Sequence, residues 1–191
     1  EATIPLMGVG DVHTQVRVQD MIYDGLIGYP TMSQLDLVLD GTDDYLDMAR
    51  PASVVQSFSL AFWFKASADP HACPTGGGFE DDPDTFWKGC GLVSADAFDA
   101  GQDFGVTLKP TGHVMFGVGG ADAAVASDTN LVSSGTHLDG LWHHVLVTRD
   151  HAAAADNVRL FIDGASAAAA GSAAQLDITS ASLAIGRAQT A

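Results

Sequence analysis

Gly140-Leu141-Trp142-His143-His144-Val145-Leu146-Val147-Thr148-Arg149-Asp150, followed by Val158-Arg159-Leu160-Phe161-Ile162-Asp163-Gly164, decides the fold of this chain. In the first stretch Trp142, His144, Leu146 and Thr148 share one face, while His143, Val145, Val147 and Arg149 share the other, the period of two that a strand imposes. The second stretch alternates in the same way. Residues 151 to 157 between them are too many for a tight turn, and Asp163-Gly164 marks a further chain reversal. The pair therefore predicts an antiparallel hairpin in an all-β protein.

Outward from that hairpin, further strand-like stretches occur. They are Leu37-Val38-Leu39-Asp40-Gly41-Thr42-Asp43-Asp44-Tyr45-Leu46-Asp47-Met48, Ser57-Phe58-Ser59-Leu60-Ala61-Phe62-Trp63-Phe64-Lys65, Gly101-Gln102-Asp103-Phe104-Gly105-Val106-Thr107-Leu108 and Leu183-Ala184-Ile185-Gly186. With the hairpin they resemble, in order, the signature strands of laminin-G-like domains of the concanavalin A-like superfamily, across roughly residues 35 to 187. The resemblance implies an antiparallel two-sheet jelly-roll sandwich. It fixes function less closely, because lectins, adhesion modules, pentraxins and glycosidases share that frame.

Composition narrows the classes. The 191 residues are 47% hydrophobic, enough for the core of one sandwich domain. No apolar run approaches the ~20 residues that span a bilayer. The chain begins at Glu1 with neither Met nor a signal-like segment, so any export signal is expected to be removed or to lie outside it. The formal charge is −16, with only Glu1 and Glu80 as glutamates and three Lys and five Arg in all. Nucleic acid is an improbable partner without a basic patch. The many Asp residues read mainly as turn formers and surface solubilisers, and a few of them could ligate calcium.

In calcium-binding members of the family that the sequence resembles, an Asp opens a strand, which places Asp103 in the site. Backbone carbonyls follow near Val118 or Gly119, and a second loop matches Asp177-Ile178-Thr179-Ser180. Ser180 stands where an acidic or amide ligand is expected, with Asp177 close enough to replace it. The implied set is Asp103, Val118, Ile178, Ser180 and Asp177. The alternative is that Asp103 caps a turn.

Cys73 and Cys90 are the only cysteines and bracket a Pro-, Gly- and Asp-rich segment that reads as an inserted surface loop. A disulfide closing it would contribute about 3 kcal/mol in the chain-entropy model and would place the protein outside the cytoplasm. Two free thiols remain an alternative, as does a metal site with His71, although paired Cys-x-x-Cys spacing is absent. The loop also carries Phe79, Glu80, Asp82, Phe86 and Trp87. Rings beside carboxylates suit a sugar surface, whereas the plainer reading has Phe86 and Trp87 folding back over the sandwich.

No catalytic residues are assigned. Glu80-Asp81-Asp82-Pro83-Asp84 lacks the alternating acids on a strand by which sandwich glycosidases hold their nucleophile and acid. There is no Gly-x-Ser-x-Gly elbow, His-Glu-x-x-His or phosphate loop. His143 and His144 fall in the signature strand, where packing and hydrogen bonding account for them.

At the ends, Val12, Thr14, Val16 and Val18 alternate with polar residues and predict one strand within an extension over residues 1–34. The sandwich, residues 35–191, is expected to lack the family's usual closing strand. Its place is expected to go to the Val12 to Val18 strand, or to a strand added by another chain, which would make self-assembly possible. The Ala152 to Ala155 and Ala167 to Ala170 runs read as loops. The leading expectation is an extracellular or cell-surface, non-enzymatic recognition module that binds glycan or protein, with calcium as cofactor, inside a larger surface or filament assembly. A purely structural domain of such an assembly and a polysaccharide-degrading enzyme are the alternatives.

Overall fold

The signature hairpin forms as its alternation demands. In the computed structural model, which describes residues 14–18, 35–39, 43–67, 81–97, 102–120, 128–171 and 177–190, Trp142–Arg149 pairs antiparallel with Val158–Ile162, Val147 opposite Leu160. His143, Val145, Val147 and Arg149 are buried, and the residues between them are half-buried. Asp163 and Gly164 both take left-handed backbone angles, φ 52° and 79°, which suit a tight hairpin reversal.

Fourteen strands are found among the described residues: β1 Thr14–Val18, β2 Leu35–Leu39, β3 Leu46–Ala49, β4 Phe58–Ala66, β5 Cys90–Ser94, β6 Asp96–Ala97, β7 Phe104–Leu108, β8 His113–Val118, β9 Thr129–Thr136, β10 Trp142–Arg149, β11 Val158–Ile162, β12 Ala165–Ala170, β13 Ser182–Ile185 and β14 Gln189–Thr190. One six-stranded sheet runs β12-β11-β10-β4-β1-β2 and the other β3-β13-β5-β7-β8-β9, while β14 and β6 make a separate two-stranded pair. Every pairing within the two large sheets is antiparallel. The β14–β6 bridge is parallel. The sheets pack face to face as a jelly-roll sandwich.

The core between them comes from the inward positions of both sheets. Phe62, Phe64, Val145, Val147, Leu160 and Ile162 meet Leu92, Val106, Leu108, Val114, Phe116 and Val118. Phe58 and Phe104 join the layers with ring centroids 4.7 Å apart.

In β7 and most of β8 both faces are buried. The second face is covered by the 3-10 turn Phe86–Lys88. Phe86, only 1% exposed, lies on Gly105 and Gly117, which pair across β7 and β8. A Cβ on Gly105 would stand 2.9 Å from the ring, and one on Gly117 would overlap it. Two hydrogen bonds hold the turn down: Thr107 Oγ1 donates to the Phe86 carbonyl (2.8 Å) and the buried Lys109 Nζ to that of Thr85 (2.6 Å).

Two outcomes at the sheet ends differ from, or extend, the sequence reading. Ala167 to Ala170 is strand rather than loop, pairing in β12 with β11. Alanine has little strand preference of its own, but the Asp163-Gly164 reversal lays this segment along an already formed partner, and context overrides propensity. Thr14–Val18 is a strand that pairs antiparallel with β2 on one side and β4 on the other. Val12 lies outside the described residues.

Candidate functional site

One rim of the sandwich gathers acids onto the ends of strands whose apolar neighbours build the core. Asp103 directly precedes β7, and the first inward residue of that strand, Phe104, pins it. The side chain of Asp103 is buried, at 4% exposure, although an isolated carboxylate strongly prefers water. Its main-chain carbonyl accepts a hydrogen bond from Gly119 N (2.9 Å). Its carboxylate reaches the space that a Cβ on Gly119 would take, so only glycine permits this approach.

Three loops meet there. Gln102 N donates to the Gly120 carbonyl (3.2 Å), and Thr179 N donates to the Gln102 carbonyl (2.9 Å). The expected neighbours of Asp103, namely the β8 end and the Ile178 loop, are therefore beside it. Val118 lies in the ladder, opposite Phe104 and Thr129. Ile178 is buried, and its N–H donates to the Val55 carbonyl (2.9 Å).

Two of the expected ligands make side-chain hydrogen bonds of their own. Asp177 Oδ1 accepts from Gln56 Nε2 at 2.8 Å on the exposed side of the loop. Ser180 donates through Oγ to the Ser182 carbonyl (3.2 Å), while its own carbonyl accepts from Arg50 Nε (2.6 Å).

Beside Asp103 the structure also places two acids that the sequence reading passed over. Asp96, 3% exposed in β6, shares a side-chain hydrogen bond with Asp103. Burial, that bond and the charges of Asp103 and Asp128 together push the Asp96 carboxyl well above the usual range. Asp128 is fixed on the same rim, its Oδ1 accepting from Gly120 N (2.9 Å). In the sequence, Asp96 and Asp128 look like any other of the chain's many Asp residues, and nothing in their spacing separates them.

The inserted loop behaves differently. Phe86 is core, so it offers no face to a sugar, and Trp87 packs edge-on against it with centroids 5.3 Å apart. Asp82 closes a turn, Oδ1 accepting from Asp84 N at 2.9 Å, and this bond holds its carboxyl below the usual range. Phe79, Glu80 and Cys73 lie outside the described residues. Cys90 is buried at the start of β5, and no described cysteine is a free thiol. Among the described residues no helix is long and apolar enough to cross a membrane.

Two antiparallel sheets packed around one core define the concanavalin A-like class of sandwich. The chain belongs to the concanavalin A-like lectin/glucanases superfamily, whose laminin G model matches residues 40–191. Among curated proteins no sequence matches it significantly.

Three of the solved structures that match it illustrate the shared fold. Domains LG4-5 of the mouse laminin alpha1 chain give a TM-score of 0.51 at 13% identity, covering 76% of this chain and 32% of that one. The LG1-3 region of the laminin alpha2 chain gives 0.51 at 16% identity, covering 93% and 27%. The binding domain of Paraclostridial Mosquitocidal Protein 1 gives 0.54 at 12% identity, covering 91% and 39%. At these identities the likeness is one of fold, and this chain spans about a third of the lengths of the chains it matches.

Proposed function

We propose that this domain is an extracellular, non-enzymatic recognition module that binds a glycan or a protein partner with calcium held at the Asp103 rim. The observation that carries the reading is the contact between two buried carboxylates, Asp96 and Asp103, with Asp128 nearby on the same rim. Two desolvated carboxylates cannot both stay ionised side by side: they share a proton, or a hard divalent cation displaces that proton and takes the all-oxygen donor set. Asp96 and Asp103 would hold the ion, and Asp128 would add negative charge.

A bound calcium would supply positive charge and ligand positions for hydroxyl or carboxylate oxygens. The residues of the chain do the rest. Gly119 gives the Asp103 carboxylate room, and the hydrogen bonds from Gln102 to Gly120 and from Thr179 to Gln102 hold the three loops in one surface. The matched structures support a binding role in kind, since one is itself a toxin's binding domain. A Cys73–Cys90 disulfide belongs to the same reading and agrees with an oxidising compartment.

A glycan array probed with and without calcium tests the proposal. Calcium-dependent binding lost in Asp103→Asn supports it. Release of reducing ends from a polysaccharide, abolished in Asp82→Asn or Asp84→Asn, would make the protein an enzyme and overturn it.

The structural-domain reading has one observation in its favour. Trp63 is 42% exposed on the outer face of its sheet, with the His144 ring 5.1 Å away, as a contact face in an assembly would be. That reading expects no binding on the array and an association that Trp63→Asp disrupts.

A further inference from the structure

We infer that His137, His143 and Asp163 form a site for a divalent transition-metal ion of the zinc class, at the other end of β9 from the Asp103 rim. One ligand atom from each residue lies within 4.8 Å of the others. Zinc sits about 2.0–2.1 Å from imidazole nitrogen and carboxylate oxygen, so tetrahedral ligands stand about 3.3 Å apart. Small side-chain adjustments close the remaining gap. Two imidazoles and one carboxylate form a nitrogen-rich set that suits zinc, copper or nickel rather than calcium or magnesium.

Each residue is placed by the fold. His143 is the second residue of β10, on the inward face, and His137 follows the last residue of β9 in the opposite sheet. Their rings stand 4.6 Å apart at 69°. Asp163 is fixed in the β11–β12 reversal because its Oδ1 accepts from His144 N (2.8 Å), which leaves Oδ2 directed at His143 Nδ1, also 2.8 Å away.

Asp139 completes a second layer. Its Oδ1 accepts from Leu141 N (2.8 Å) and faces His143 Nε2 at 3.1 Å. A carboxylate on the far nitrogen is the usual partner of a metal-ligating histidine, because it fixes the tautomer and makes the near nitrogen a better donor.

His143 alone would be explained by an imidazolium clamped between two carboxylates. Burial works against its charge, but the bonds to Asp163 and Asp139 outweigh burial and hold the imidazole above its usual range. That account leaves His137 without a role. Both of its ring nitrogens are buried and have no hydrogen-bond partner, an arrangement that costs free energy. Burial, with the nearby His143 charge, holds His137 below the usual imidazole range. A metal ion gives its lone pair a partner. The proton between His143 Nδ1 and Asp163 Oδ2 leaves to solvent as the ion takes its place.

Access is provided by a cleft of about 210 Å³ lined in part by Ser133, Gly135, His137, Asp163 and Ser166. Three protein ligands leave a fourth tetrahedral position, which a water or a ligand donor can fill from that cleft.

The test is a zinc titration by calorimetry of the chelator-stripped 191-residue chain, followed by cobalt(II) absorption. One equivalent is expected to bind at micromolar or lower concentration, with the intense visible bands of four-coordinate cobalt. His137→Ala removes no hydrogen bond and should weaken zinc at least tenfold while leaving the metal-free melting temperature close to that of the parent. Asp139→Asn should weaken it by about 10- to 100-fold. His151→Ala and Asp103→Asn should leave it unchanged, which separates this site from the calcium rim. Absence of saturable zinc binding, six-coordinate cobalt spectra, or equal affinity in His137→Ala would overturn the inference.

Discussion

At the scale of single residues, the molecule is decided by where a side chain is missing as much as by where one is present. Gly105 and Gly117 face each other across β7 and β8, and the Phe86 ring lies directly on them. A methyl group at residue 117 overlaps a fully buried ring that the Thr107 and Lys109 hydrogen bonds prevent from retreating. Gly117→Ala is therefore expected to cost about 1–3 kcal/mol, the usual range for overpacking a core, measured as a lower midpoint in denaturant at unchanged slope. An unchanged midpoint would mean that the turn moves freely off the sheet. Gly119 plays a related part at the rim, where its bare Cα lets the Asp103 carboxylate approach.

At the scale of elements, the strands with a clean alternation could be read from sequence. β10 and β11 were legible because each has an inward apolar row, and their register follows from that row. β12 was not, because Ala165–Ala170 carries no alternation, and only the preceding turn and the waiting edge of β11 define it. The same distinction holds at the site. Asp103 stands out by its position before β7, whereas Asp96 and Asp128 become neighbours only when β6 and the segment entering β9 fold onto that rim. Phe86 looked like a loop aromatic, and its burial depends on two glycines far along the chain.

β1 gives this scale its own prediction. Thr14–Val18 bonds to β2 through five residue pairs and to β4 through four. Deleting residues 1 to 20 would open one flank of β4 and leave β2 without its partner, exposing ladder groups that template aggregation. The truncated protein is expected to lose several kcal/mol of stability and to self-associate in sedimentation experiments. A truncated protein that remained monomeric and equally stable would show that β1 is dispensable.

At the scale of the whole molecule, charge and compartment dominate. A net charge of −16 disfavours anionic surfaces and polyanions and raises the local concentration of cations at the two proposed metal sites. With Cys90 buried in β5, a bond to Cys73 would tie the inserted loop to the core edge. The unreduced protein is expected to resist thiol alkylation under denaturing conditions and to weigh two hydrogens less than its reduced form. Labelling of both cysteines without reductant would dismiss the disulfide.

A calcium site at the proposed Asp96–Asp103 rim would tie recognition to the stability of the fold. Calcium that binds only the folded state stabilises by RT ln(1 + [L]/Kd), about 2.7 kcal/mol at a hundred times Kd. The direct measurement is the melting temperature of the chelator-stripped protein across calcium concentrations up to the millimolar range, with Asp103→Asn alongside. A saturable rise of several degrees is expected in the parent and none in the variant, while a parent that melts at the same temperature with and without millimolar calcium would show that the rim holds no calcium.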